Sequence, residues 1–161
     1  MDTYNEEIYG KVLWECCRSN TYIVLMSLLY VIMSAGAIIM AITHDLNHGI
    51  ILYIVALAVI AFSLFRIHKL HCPVALICEK KLLVAVPWSF VNSDYYISLR
   101  SFYMPVDYKE VAGVSSGWNR LYIGARITGG IVALPVQLSY VSLGDKIYFQ
   151  DWVERKQEEA V

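Results

Sequence analysis

The sequence predicts a membrane α+β architecture: an N-terminal two-helix transmembrane hairpin, then an antiparallel β-domain closed by a C-terminal helix. Three observations predict it. Ser19 to Thr43 and Gly49 to Phe65 contain no Asp, Glu, Lys or Arg and are separated only by residues 44–48. From Pro73 onward, short β-rich pieces alternate with turn signals. Finally, Ser142-Leu143-Gly144-Asp145 places a side-chain oxygen three residues before an acid, a variant of the helix capping box.

The segment before the first span, residues 1–20, has Tyr4, Ile8, Tyr9, Val12, Leu13 and Trp14 spaced for one helical face. It suits an interfacial helix leading into the membrane, or an extension packed on the β-domain. It does not read as a signal peptide, because Asp2, Glu6 and Glu7 stand where a basic region belongs, so the first span is expected to be retained.

The hairpin, residues 21–67, comprises spans over 21–43 and 49–66. An α-helix needs about 20 apolar residues to cross roughly 30 Å of hydrocarbon, and about 17 at the least. Both runs satisfy this, and neither carries a polar stripe at helical spacing. The whole chain is 58% hydrophobic with mean hydropathy +0.51, beyond the about 45–50% usual in soluble domains. The connection between the spans has Asp45, His44 and His48 but no Lys or Arg, whereas Lys11 and Arg18 precede the first span and Arg66, Lys69, Lys80 and Lys81 follow the second. The excess of positive charge on one side puts both termini in the cytoplasm and makes Arg66 the end of the second span. Ser34 to Ala37 and Ala56, Ala58 and Ala61 supply small residues for helix packing, within the hairpin or in a homo-oligomer. With no acidic or basic side chain inside either span before Arg66, the hairpin alone has no residues to carry an ion or proton pathway.

The remaining residues, 72–161, suffice for one small domain. Nine Lys and Arg balance nine Asp and Glu there, so no nucleic-acid partner is expected. Cys16, Cys17, Cys72 and Cys78 form no Cys-x-x-Cys pair and read as free thiols. His68, His71 and Cys72 crowd the exit from the second span, but a structural zinc site takes four ligands in paired spacings, so no metal is expected. Candidate strands are Val74 to Cys78 and Leu82 to Val86, joined by Glu79-Lys80-Lys81, then Tyr95 to Phe102 and Val111 to Ser115. Arg120 to Ile127 follows with Leu121, Ile123, Ala125 and Ile127 inward and Arg120, Tyr122 and Arg126 outward. Thr128-Gly129-Gly130 marks a hairpin turn, and Ile131 to Ser139 returns as the partner strand. A helix over 142–159 closes the domain, with Tyr148, Phe149, Trp152 and Val153 on its aromatic face.

This order of parts resembles the small bacterial membrane proteins that carry a two-helix hairpin followed by a pleckstrin-homology-like (PH-like) domain. The resemblance rests on the strand pair around Ala75 to Val86, the Met104-Pro105-Val106-Asp107 stretch, the strand Leu121 to Ile127, and Leu134-Pro135-Val136-Gln137-Leu138 leading through Ser142 into the final helix. It implies a multi-pass protein of the bacterial inner membrane whose cytoplasmic PH-like module binds a partner. Lipid-binding PH domains carry a basic cluster at their first turn; here only Lys80 and Lys81 stand beside Glu79, too little for strong headgroup capture at about 1 kcal/mol per basic residue.

For an enzyme the sequence offers no constellation: no Gly-x-Ser-x-Gly, no His-Glu-x-x-His, no phosphate loop. Ser115-Ser116-Gly117 reads as a turn, and Asp107 and Glu110 as solvated loop acids. No catalytic residue and no cofactor are expected. The expected role is a non-enzymatic adaptor or accessory subunit that binds a protein partner. Its candidate surface comprises Trp88, Tyr96, Arg100, Trp118, Arg120, Tyr122 and Arg126, residue types enriched at interface hot spots. Two alternatives stay open. One is an inner-membrane immunity protein neutralising a membrane-targeted toxin; the other is a two-span defence effector whose β-barrel senses a cyclic nucleotide through the same arginines and aromatics.

Overall fold

The computed structural model describes residues 6–43, 49–87, 96–97, 102–124 and 130–159. The chain divides into two units, Asn20–His71 and, joined across it, Met1–Ser19 with Cys72–Val161. The hairpin is therefore an insertion: the chain begins in the β-domain, leaves it and returns.

The entry segment makes this plain. It opens with one helical turn, α1 (Glu6–Tyr9), and continues as a strand, β1 (Val12–Cys16), where one helical face was expected. Gly10, at φ +77°, ends the helix, and a Cβ there would lie 2.7 Å from Cβ of Glu79. Beyond Gly10 the backbone pairs antiparallel with β2 (Ala75–Cys78), which supplies ladder partners that a six-residue apolar spacing cannot reveal.

Between these two paired strands lie α2 (Asn20–Thr43) and α3 (Gly49–Leu70). Tyr30, Ser34, Ala37 and Ala41 on α2 recur at steps of three and four, and Ala56 and Ser63 on α3 lie seven apart; all six are buried or half-buried, a heptad-like seam between antiparallel helices. Of the small residues expected to pack, Ala35, Gly36, Ala58 and Ala61 face outward instead. Both helices are long and apolar enough to cross a membrane, and only 11% of each apolar window is buried. Ile50 is 78% exposed and Val24 68%. Arg66, expected to end the second span, lies four residues inside α3.

β3 (Leu82–Val86), β4 (Tyr96–Ile97) and β5 (Phe102–Val106) complete a five-stranded antiparallel sheet in the order β1-β2-β3-β5-β4. A turn of 3-10 helix (Tyr108–Glu110) leads to the second sheet, β6 (Val111–Val114), β7 (Arg120–Gly124) and β8 (Ile131–Pro135), in chain order. A second 3-10 turn (Leu138–Tyr140) precedes α4 (Leu143–Glu159). Eight strands are thus present among the described residues where about six were expected. β1 and β5 are the additions, and Pro105 obscured β5. Pro105 sits opposite Leu83, whose ladder bonds go to β2, so the missing N–H removes no bond to β3. Residues 95 and 98–101 of the Tyr95 to Phe102 candidate, residues 125–127 of the Arg120 to Ile127 candidate and Thr128-Gly129 of the turn lie outside the described residues.

β2 and β3 are buried on both faces, which is why their sequences run apolar without alternation. Ala75, Ile77, Leu82 and Val84 meet Leu121, Leu134, Val136 and Phe149 in the main core; Leu76, Cys78 and Leu83 turn to a smaller cluster covered by Tyr9 and Tyr103. α4 starts where the sequence placed it: the Ser142 hydroxyl accepts from the Asp145 N–H at 3.2 Å and donates to its carboxylate at 2.7 Å.

The four cysteines are unbridged. Burial, with the Asp145 carboxylate adding, pushes the Cys16 thiol up to about 12. Burial also raises the Tyr103 and Tyr108 phenols, which donate to the carbonyls of Pro73 (2.8 Å) and Cys78 (2.6 Å). The unfolded chain releases these protons first, so their stabilising contribution is intact below about pH 9 and falls as pH rises toward about 12. All four tryptophans, Trp14, Trp88, Trp118 and Trp152, lie outside the hairpin, so their fluorescence follows unfolding of the β-domain. Its melting temperature in detergent should fall steadily from pH 9 to 11, less steeply in Tyr103→Phe. A flat profile would contradict the burial of these groups.

Candidate binding groove

Phe149 and Val153 anchor α4 in the core, which sets Gln150, Glu154 and Gln157 along the side of the helix that borders β6. Between them runs a groove of about 340 Å³, with β6 and the following turn as one wall and α4 as the other.

Among the described residues β6 is one edge of the three-stranded sheet. Its register fixes which backbone groups face the groove. The Ser115 N–H donates to the Arg120 carbonyl at 2.9 Å, and Gly113 opposes Tyr122, so these are the bonded pairs of the ladder. Val114, opposite Leu121 between them, therefore turns its N–H and C=O away from β7, into the open edge. The near end of the edge is already closed. Gln157 Nε2 donates to the carbonyls of Val111 (2.6 Å) and Tyr108 (3.1 Å), tying α4 to the start of β6. A bulge between Val111 and Gly113 bends the strand there, with Gly113 at φ +149°.

The turn after β6 shapes the far end. The Ser115 hydroxyl accepts from the N–H groups of Asn119 (3.3 Å) and Arg120 (3.1 Å), and the Trp118 N–H donates to the Ser115 carbonyl (2.9 Å). This confirms the Ser115-Ser116-Gly117 turn and holds Trp118 at φ +56°, a left-handed conformation that costs a bulky residue on the order of 1–3 kcal/mol. Trp118 packs on the core, lines the groove, and has Lys146 Nζ 5.8 Å from its ring centroid.

Of the candidate surface, then, Trp118 is in the groove. Arg120 and Tyr122 lie on the outer face of β7, opposite buried Leu121 and Ile123. Trp88, Arg100, Arg126 and the Tyr96 side chain lie outside the described residues. The structure does not bring the three described members together on one face, because the left-handed turn rotates Trp118 out of the β7 alternation. The groove-lining residues the sequence missed are Val114, Gln150, Glu154 and Gln157. Gly113 inside a strand pattern was the available signal, since an isolated strand glycine points to a bulge.

The basic turn is occupied. Lys80 Nζ donates to the Glu7 carbonyl at 2.7 Å, and Lys81 lies 3.5 Å from Asp107. Among the described residues no three His, Cys, Asp or Glu side chains converge as metal ligands. The groove thus combines an open backbone edge, amide and carboxylate side chains, and an aromatic end wall. The chain matches no protein-family model, no curated protein and no solved structure.

Proposed function

We propose that this is a membrane-anchored, non-enzymatic protein-binding module whose groove between β6 and α4 takes an extended segment of a partner protein. The outward N–H and C=O of Val114 beside that groove carry the reading, because an added strand gains main-chain bonds from an exposed edge and selectivity from adjoining side-chain pockets. The anchor is the hairpin. Its exposed apolar surface far exceeds the few hundred Å² that soluble monomers tolerate; the Lys and Arg bias supports an orientation with both flanks cytoplasmic, and the resemblance to small two-helix bacterial proteins supports the inner membrane as its location. The succession of a larger sheet, a three-stranded sheet and a C-terminal helix supports a PH-like module that presents its groove there.

The test is Val114→Pro. Proline removes the outward N–H and no bond to β7, so the domain should keep its melting temperature within a few degrees. Affinity pull-down of the full chain from its native cells in mild detergent should recover one stoichiometric protein with the wild type and at least tenfold less with the variant. Equal recovery would sink the groove as the binding site.

A further inference from the structure

Arg66 is a charged group that the apolar surroundings of the hairpin do not explain. It sits four residues before the end of α3 at Leu70, about 6 Å inside the helix at 1.5 Å per residue. Helical side chains lean toward the N-terminus of their own helix, so Arg66 leans inward along the hairpin and Tyr30, on antiparallel α2, leans back to meet it. Arg66 Nε donates to the Tyr30 hydroxyl at 3.0 Å, and its guanidinium carbon lies 6.0 Å and 5.9 Å from the ring centroids of Tyr30 and Phe62. Those rings meet edge to face at 6.5 Å. Tyr30 is buried, whereas Arg66 is exposed. The described residues use only Nε, leaving the Nη1 and Nη2 donors on the outer surface.

No Asp or Glu occurs in Asn20–Thr43 or Gly49–Leu70, so neither helix supplies a counter-charge for Arg66. A cation on a lipid-facing surface is costly to hold away from water and is stabilised where an anion meets it. We infer that Arg66, oriented by Tyr30 and Phe62, is a binding site for the phosphate of an anionic membrane lipid. The planar guanidinium fork matches two phosphate oxygens, and anchoring Nε fixes the plane of that fork before the lipid arrives. Lys69, one turn further toward the helix end, adds positive charge on the same side of α3.

This inference rests on the hairpin lying in a bilayer, so the experiment separates the two. Membranes containing the full-length protein are first washed with alkaline carbonate; release of the wild type overturns the bilayer reading itself. Retained protein is then exchanged into nanodiscs of phosphatidylcholine with phosphatidylglycerol, and the bound lipid is counted by native mass spectrometry. At least tenfold enrichment of phosphatidylglycerol is expected, abolished by Arg66→Gln and reduced several-fold by Tyr30→Phe, which keeps the ring. Undiminished enrichment in Arg66→Gln overturns the site. Displacement of the lipid by millimolar inorganic phosphate overturns the lipid assignment in favour of a free phosphate ion.

Discussion

Phe149→Ala should lower the melting temperature of the β-domain by on the order of 10–20 °C. Phe149 is the largest fully buried side chain among the described residues, and with Val153 it anchors α4 in the core that both sheets share. Truncating a buried phenylalanine to alanine costs about 3–5 kcal/mol, from lost transfer energy and the cavity left behind. For a unit near 100 residues each kcal/mol moves the midpoint by about 4 °C or more. Phe149→Leu, which refills most of the volume, should lose only about a third as much. The position also controls the groove, since Phe149 lines its floor while Gln157 fixes its near end. Tryptophan fluorescence of the detergent-solubilised full chain checks both variants; a loss below about 1 kcal/mol for Phe149→Ala would mean that α4 is not docked as described.

What the sequence disclosed and what it hid follow from the range of the interactions involved. The two helices were legible because span length and the absence of charge are local properties, and the α4 start was legible because its cap lies within four residues. Leu121 and Ile123 could be placed inward because β7 has one buried face, so period-two alternation survives in its sequence. β2 and β3, buried on both faces, keep no such alternation, and only their length and flanking turns revealed them. β1 was illegible for a different reason: its partner lies 59 or more residues away across the hairpin, as in the pairing of Cys16 with Ala75. The groove depends on an edge register, a bulge at Gly113 and a left-handed Trp118, each set by pairing that no local window contains. Trp118 was chosen for its residue type; its role comes from a turn that reverses the direction its alternation implied.

Replacing Arg18 should produce the second large effect, on the order of 3–5 kcal/mol, because Arg18 joins parts of the domain that the sequence keeps far apart. It stands where the chain leaves β1 for the hairpin, and it is only 8% exposed. Its Nη1 donates to the Cys72 carbonyl at 2.8 Å, where the chain comes back, and its Nη2 donates to Gln137 Oε1 at 2.6 Å, just after β8. Backbone bonds surround this clamp: Val74 N–H to the Cys16 carbonyl at 2.7 Å, Ser19 N–H to the Tyr140 carbonyl at 2.9 Å, and a bridge between Arg18 and Val141. The guanidinium therefore fixes both crossings of the insertion to the connection between β8 and α4. Hydrogen bonds to a charged group contribute about 1.5–3 kcal/mol each, and removing the donor takes a charge-assisted bond from each acceptor. Arg18→Leu supplies the volume of the stem but none of the donors. Gln137→Leu alone should cost about 1–2 kcal/mol, and the double variant should lose clearly less than the two single losses added together, because the partners share one bond. Strict additivity in that cycle, read from tryptophan-monitored melting of the full chain, would show that Arg18 and Gln137 act separately. Coupling of 0.5 kcal/mol or more, in the range expected for residues in direct contact, would establish the clamp as one unit.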